Sequence, residues 1–330
     1  MKSSVFSLVS LFCILLGGEL IFAQKSSPQV DTTRYTGPII DMHMHTGLPH
    51  EVPAGAPSLC RPAPCEGDGK AIVDSKELME RSLEAMDHHN ITQASLSGVD
   101  WQAVGQWKTA APQRFIASPF ILRPADSLLM ELRERYDQKF FEGMGEIGVQ
   151  LKGYAPNDRV LDPFLKLANK HNIPVLIHCA GIGPYTEHFR SAAGNPLLLE
   201  DVLKKYPDLR IFVENAGYPY AEEMIAMMYQ YPQLYADVST ITWVIPRPAF
   251  YDHLEAFMRA GLGKRIMFGS DQMVWPEKIG AAVEAVQEAP FLSLAEKQDI
   301  FYNNAARFLQ LHNAPEDEEN SDKKLKSKNH

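Results

Sequence analysis

The stretch "PIIDMHMHTG" (residues 38–47) sets two histidines, His43 and His45, two positions apart at the end of a short apolar run. Successive side chains of a strand point to opposite faces, so Asp41, His43 and His45 are expected on one face and Met42 and Met44 on the other. Two imidazoles held side by side by one strand suit a divalent cation. The same pair also fits a strand end whose polar residues simply meet water, so the reading turns on partners elsewhere in the chain.

Composition limits what kind of chain could supply them. With 330 residues, 45% of them hydrophobic and 22% charged, the sequence fits one large globular domain or two small ones. A formal net charge of -9, with no basic stripe before the last few residues, argues against nucleic-acid binding.

The N-terminus reads as a processing segment: Lys2 is followed by "VFSLVSLFCILLGG" and then by "LIFAQK", with cleavage expected after Ala23. Residues 1–23 are thus a signal peptide and 24–36 a linker, and the mature protein is expected in the periplasm or outside the cell. The apolar run is short for a membrane span, and no later segment reaches the length that one requires. Cys13 is a poor lipid acceptor because the bulky Phe12 precedes it. Of the remaining cysteines, Cys60 and Cys65 bracket "RPAP" and either pair or remain free in a Pro-rich loop, whereas Cys179 reads as a small buried side chain.

Eight apolar runs of strand length follow one another, at 38–43, 91–98, 114–121, 140–149, 173–180, 209–217, 233–240 and 264–271. Helical patterns lie near 75–89, 126–138, 160–171, 197–206, 219–230, 249–260, 276–288 and 293–312. This alternation predicts an α/β fold, a (β/α)8 TIM barrel over residues 37–312, with a doubly wound open sheet as the alternative. No glycine-rich phosphate loop follows any strand in the required register, which counts against the open sheet. The long Pro- and Gly-rich interruption at 46–74 would lie over the mouth of the barrel. The tail at 313–330, an acidic block followed by a basic one, reads as disordered.

Barrel enzymes carry their chemistry at the C-terminal ends of the strands. The fourth run has Glu146 in "GMGEIGV", the fifth has His178 in "LIHCAG" and the eighth has Asp271 in "FGSDQ". Charges in apolar runs need compensation. Together with His43 and His45 these residues form a divalent-metal shell of three histidines, a glutamate and an aspartate.

Here the sequence resembles the amidohydrolase superfamily, and within it the amidohydrolase-related branch that includes aminocarboxymuconate-semialdehyde decarboxylase. The resemblance runs through "IIDMHMH", "VLIHCAG", "IMFGSDQMVWP" and "FYNNAARFLQL". It implies that His43, His45, His178 and Asp271 are metal ligands and that Asp271 also takes the proton of the attacking water. "GEIG" around Glu146 is similar to the fourth-strand segment of the metal-dependent deoxyribonuclease branch, in which the glutamate is a ligand. One position departs from the pattern: in "RIFVENAGYP" the resemblance leads us to expect a histidine before the Ala-Gly, and this chain has Asn215. Asparagine cannot act as a general base near neutral pH. Glu214 is adjacent, and strand alternation is expected to turn it to the opposite face.

The expected cofactor is a divalent metal, zinc first and manganese or iron next, and the expected reaction is hydrolysis of a small ester, lactone or amide. Decarboxylation of a small unsaturated acid is the close variant, and a barrel that binds a ligand without turnover is the alternative from another class. Substrate-facing candidates at the strand ends are Asp100, Trp101, Tyr185, His188, Arg190, Asn215, Trp243 and Trp275, with Arg190 placed to hold a carboxylate. The remaining histidines, His88, His89, His171, His253 and His312, are assigned to helices and helix ends. The partner is a small-molecule substrate, and a homodimer is compatible with the sequence.

Overall fold

Each of the eight apolar runs overlaps a strand. The computed structural model describes residues 33–48, 50–63, 69–183 and 186–311. The proposed leader and tail, most of the linker, and Cys65, Tyr185 and His312 lie outside the described residues. In chain order the strands are β1 (Ile39–His45), β2 (Ile91–Gly98), β3 (Phe115–Pro119), β4 (Met144–Ile147), β5 (Val175–Ile177), β6 (Ile211–Val213), β7 (Leu234–Asp237) and β8 (Ile266–Met267). Neighbours pair in parallel within β1–β3 and within β4–β8. Backbone hydrogen bonds join the two groups at both seams. Ile121, just past β3, donates to Glu146 O of β4 at 2.8 Å, and Met42 of β1 donates to Phe268 O, just past β8, at 2.9 Å. The fold is a (β/α)8 barrel.

The helices are α1 (Ser75–His88), α2 (Trp101–Ala110), α3 (Asp126–Asp137), α4 (Asp162–Lys170), α5 (Glu200–Lys205), α6 (Ala221–Gln230), α7 (Ile241–Val244), α8 (Arg247–Arg259), α9 (Glu277–Gln287), α10 (Leu294–Gln298) and α11 (Asn304–Phe308). Local chemistry sets their ends. Asp74 accepts from Glu77 N at 2.8 Å and caps α1, which turns Leu78, Ser82 and Met86 inward at four-residue spacing. Two differences from the sequence reading stand out. The sequence carries no clear helical pattern for α2, whose buried stripe is only Ala103, Val104 and Trp107. The expected single helix at 293–312 is instead α10, one π-helical turn (Asp299–Asn303) and α11. In α11 the Asn304 amide turns inward and donates to Gly263 O at 2.7 Å and Ile266 O at 2.6 Å.

Two buried clusters divide the core. The larger packs the outer faces of the strands, including Ile39, Met44, Ile211 and Val213, against the helices. The smaller joins Ile40, Met42, Leu176, Phe212 and Met267 from the strands with Ala305, Ala306 and Phe308 of α11, and fills the barrel axis. Met42 and Met44 therefore do not share surroundings, contrary to simple alternation from Asp41. Between Asp41 and Met44 the register of β1 slips against β2. One extra residue in β1 lets the axis-filling Met42 be followed directly by the inward-facing His43.

The segment at 46–74 is strapped over the barrel mouth by backbone bonds. Arg61 N donates to Val244 O at 2.6 Å, Ile72 N to Val274 O at 2.9 Å, and Gly55 N to Ala71 O at 2.8 Å. Trp275 Nε1 donates to Ala56 O at 3.0 Å, so a buried ring anchors the strap from below. Cys60 is disulfide-bonded, and its expected partner Cys65 lies outside the described residues. Cys179 is free and buried, as its apolar context predicts.

Candidate active site

Six strand ends converge on one cluster. His43 and His45 come from the end of β1, Glu146 from β4, His178 from just past β5, Glu214 from just past β6, Asp237 from the end of β7 and Asp271 from beyond β8. All seven side chains are buried. His43 Nε2 lies 3.0 Å from His45 Nε2, 2.7 Å from Glu214 Oε1 and 3.6 Å from Glu146 Oε2. His45 Nε2 lies 3.3 Å from Glu146 Oε2 and 3.0 Å from Asp271 Oδ1. His178 presents Nδ1 to Glu146 Oε1 at 3.4 Å and to Glu214 Oε2 in close contact.

Glu146 needs a glycine before it. A Cβ at Gly145, where φ is +118°, would sit 2.2 Å from Leu176 O on β5, so any larger residue would push β4 away from its neighbour.

The phase of β6 corrects the reading of Glu214. Phe212 belongs to the axial cluster while Ile211 and Val213 belong to the outer one. Alternation counted from Phe212 therefore turns Glu214 inward, opposite to the face expected from its neighbour Asn215. Asn215 follows with φ of 55° and Ala216 with φ of 44°, a left-handed turn that breaks the alternation and still leaves Asn215 on the pocket wall.

The electrostatics follow from this crowding. Burial opposes charge on His43, but Glu214 and Asp271 outweigh it and hold the imidazole well above its usual range. Burial likewise opposes charge on His178, and Glu214 and Glu146 push it up to about 10. Glu214 is held down to about 2: burial works against the carboxylate, and His43 and His178 prevail. Asp271 is lowered too, with His43 overcoming its burial. Asp41 stands apart. Its Oδ1 accepts from His43 N at 3.0 Å and Ser270 N at 2.9 Å, clamping β1 to the turn after β8, and burial raises its carboxyl to about 7.

The donor set fits divalent metal ions. Among the described residues, two groups each bring three ligand atoms within 4.8 Å of one another, His43 with His45 and Glu146, and Glu146 with His178 and Glu214. Glu146 is common to both. Asp271 Oδ1 is buried 3.0 Å from His45 Nε2 yet makes no hydrogen bond, as expected of a carboxylate oxygen and an imidazole nitrogen aimed at a shared cation. Its other oxygen accepts from the Thr240 hydroxyl, which fixes the carboxylate's orientation. Three imidazoles and three carboxylates suit zinc, manganese or iron(II).

The cluster floors a pocket whose upper wall is mainly apolar: Leu48, Leu59, Phe120, Leu151, Ile182, Val244 and Met273. Among the described residues, its ionisable side chains outside the cluster are His50 and Arg61, both on the strap. Sequence reading missed both, because nothing in the composition of a Pro-rich loop says which of its residues turns down.

Several expected substrate contacts have other roles. Asp100 caps α2, accepting from Gln102 N at 2.9 Å, and Trp101 packs edge-on against Phe141. Arg190 and His188 are exposed and off the pocket wall. Trp243 donates to Ser270 O at 2.8 Å and packs against Trp275, so these two rings clamp loops and do not line the pocket.

Comparisons with known proteins agree with this architecture. A 2-pyrone-4,6-dicarboxylic acid hydrolase from Acinetobacter baumannii, described as probable and holding citric acid, superposes with a TM-score of 0.59 at 16% identity over 83% of this chain and 99% of that chain. A 5-carboxyvanillate decarboxylase from Novosphingobium aromaticivorans, complexed with manganese and a nitrobenzoic acid, superposes with a TM-score of 0.54 at 17% identity over 73% of this chain and 84% of that one. Protein fluG of Emericella nidulans is 22% identical over 159 residues, 44% of this chain but only 18% of that protein's length. The family model described as Amidohydrolase matches residues 40–311, nearly the whole described barrel, and the chain belongs to the amidohydrolase family.

Proposed function

We propose that the protein is an exported, metal-dependent hydrolase that cleaves the C–O or C–N bond of a small lactone, ester or amide bearing a carboxylate. The carrying observation is Asp271: Thr240 holds one oxygen of its carboxylate, and the other, without a hydrogen bond, lies 3.0 Å from His45 Nε2 in the pocket floor. Divalent cations would be held by His43, His45 and Glu146, with Asp271 beside them, and by Glu146, His178 and Glu214, and would supply the Lewis acidity that polarises a carbonyl and makes water a better nucleophile near neutral pH. Asp271, kept ionised by His43, accepts the proton of the attacking water and hands it to the leaving group. Arg61 offers the wall a fixed positive charge for a substrate carboxylate, the role the sequence suggested for Arg190. The apolar wall excludes water from the carbon skeleton. The apolar leader and the disulfide-bonded Cys60 support export.

The decarboxylase reading draws on the 5-carboxyvanillate decarboxylase among the similar structures. Asn215 and Glu214 weigh against it, since the sixth strand end supplies no imidazole for proton transfer to carbon. The deciding experiment incubates the metal-loaded protein with a panel of carboxylated lactones, esters and amides and, in parallel, with carboxylated phenols and dienoic acids. Acid release by pH-stat from lactones and esters, or amine release from amides, lost in Asp271→Asn, is expected. Carbon dioxide release without hydrolysis would replace the hydrolase with a decarboxylase. Saturable binding with neither product would identify a binding protein.

A further inference from the structure

Asp237 carries no role so far, yet it is fully buried against His43. Its Oδ1 accepts three hydrogen bonds, from Asn215 N at 3.0 Å, Ser239 N at 3.0 Å and the Ser239 hydroxyl at 2.6 Å. Its Oδ2 has no hydrogen-bond partner and faces His43 Nδ1 at 3.3 Å. Ser239 Oγ is also 3.1 Å from Nδ1, and its one proton is directed to Asp237, so it presents His43 with a lone pair. A weaker contact to Asn215 Oδ1 at 3.3 Å competes for the same proton and leaves that conclusion unchanged.

Two acceptors thus face Nδ1, and Nδ1 must carry the hydrogen. With the proton there, a neutral His43 directs a bare Nε2 into the cluster of His45, Glu214 and Glu146. A lone pair set among other lone pairs calls for a cation.

We propose that Asp237 is a positioning residue that fixes the tautomer and tilt of His43 and so sets the metal affinity of the position His43 shares with His45 and Glu146. The assignment rests on the metal-site reading above. The turn after β8 is shaped for the same contact. A Cβ at Gly269 would lie 2.9 Å from His43 Cβ, 3.1 Å from Ser239 Cβ and 3.3 Å from Asp237 Oδ2, wedging the pair apart. That gives the glycine of "FGSD" a reason of its own.

The test is zinc binding to the mature protein, measured by competition with a chromogenic chelator and resolved into its two phases, beside thermal unfolding of the metal-free forms. Asp237→Asn keeps Oδ1 and its backbone bonds but turns an NH2 toward Nδ1, favouring the wrong tautomer. Its zinc affinity at one position should fall about 10- to 100-fold while the other position is unchanged. Loss at both positions equally would mark general collapse and overturn the assignment, as would unchanged affinity at both. Should this variant fail to fold, Ser239→Ala decides: a loss of about tenfold or more at one position supports it, and a smaller loss or none overturns it. A wild-type chain that takes up no zinc, manganese or iron(II) overturns the metal reading itself, and this assignment with it.

Discussion

Glu214 Oε1 lies 2.7 Å from His43 Nε2, so a side chain from the sixth strand end reaches the histidine pair of the first. The other oxygen of Glu214 is in close contact with His178 Nδ1 and, with Glu146, completes a second group of three ligands, which makes two ions per chain the expected complement. Elemental analysis of protein purified without chelator should give about two metals per chain. Glu214→Gln should leave about one, held by His43, His45 and Glu146. Two metals retained in that variant would remove Glu214 from the ligand set.

Metal uptake should depend on pH in a stated direction. His178 is held up to about 10 and His43 is likewise raised, so without metal both carry protons at neutral pH that a cation must displace. Affinity should therefore weaken as pH falls from 9 to 6, and titration calorimetry in buffers of different ionisation enthalpy should register proton release. Binding without proton release would contradict the charge distribution described.

Arg61→Met should raise KM for a carboxylated substrate by roughly tenfold or more while kcat stays within a factor of about three, since one charge-assisted contact is worth about 1.5–3 kcal/mol. The same variant acting on an uncharged ester should change little. An equal effect on both substrates would reduce Arg61 to a structural tie of the strap.

Trp275→Ala removes a fully buried ring and the indole bond to Ala56 O. The expected cost is about 3–5 kcal/mol in urea unfolding. A loss under roughly 1 kcal/mol, below the range for a buried aromatic, would show that the strap does not depend on this anchor.

His253 should set part of the acid limb of stability. Burial lowers it from 6.5 to about 4, and its Nε2 lies 3.1 Å from Ala216 O in α8's contact with the sixth strand end. The folded protein keeps the ring neutral, while the unfolded chain takes a proton below about 6.5. Stability is therefore complete above that pH and declines toward pH 4, by about 3 kcal/mol for this residue. His253→Gln should flatten that decline in denaturant titrations between pH 6.5 and 4; an unchanged slope would assign the acid sensitivity elsewhere.

Much of this was legible beforehand for a physical reason. A buried parallel strand shows as an apolar run, and an ionisable residue in such a run is conspicuous, which is how His43, His45, Glu146, His178 and Asp271 came forward together. Glu214 and Asp237 sit at strand ends too, but choosing between Glu214 and Asn215 required knowing which face Phe212 takes, and only packing decides that. The slip in β1 is equally invisible in "IIDMHMH", because Met42 is apolar enough for either side. Arg61 and His50 lie on a segment without periodicity, where sequence gives no direction to a side chain. Trp243 and Trp275 misled because an indole at a strand end serves a clamp as readily as a binding wall.

The axial cluster has a kinetic consequence. Ile40, Met42, Leu176, Phe212, Met267 and Phe308 seal the barrel beneath the carboxylates and imidazoles, so among the described residues the chamber opens on the strap side. Whatever leaves must retrace the route by which it came. A second molecule cannot enter behind a departing one, and under the proposed hydrolysis the acid formed should compete with fresh substrate for the same passage.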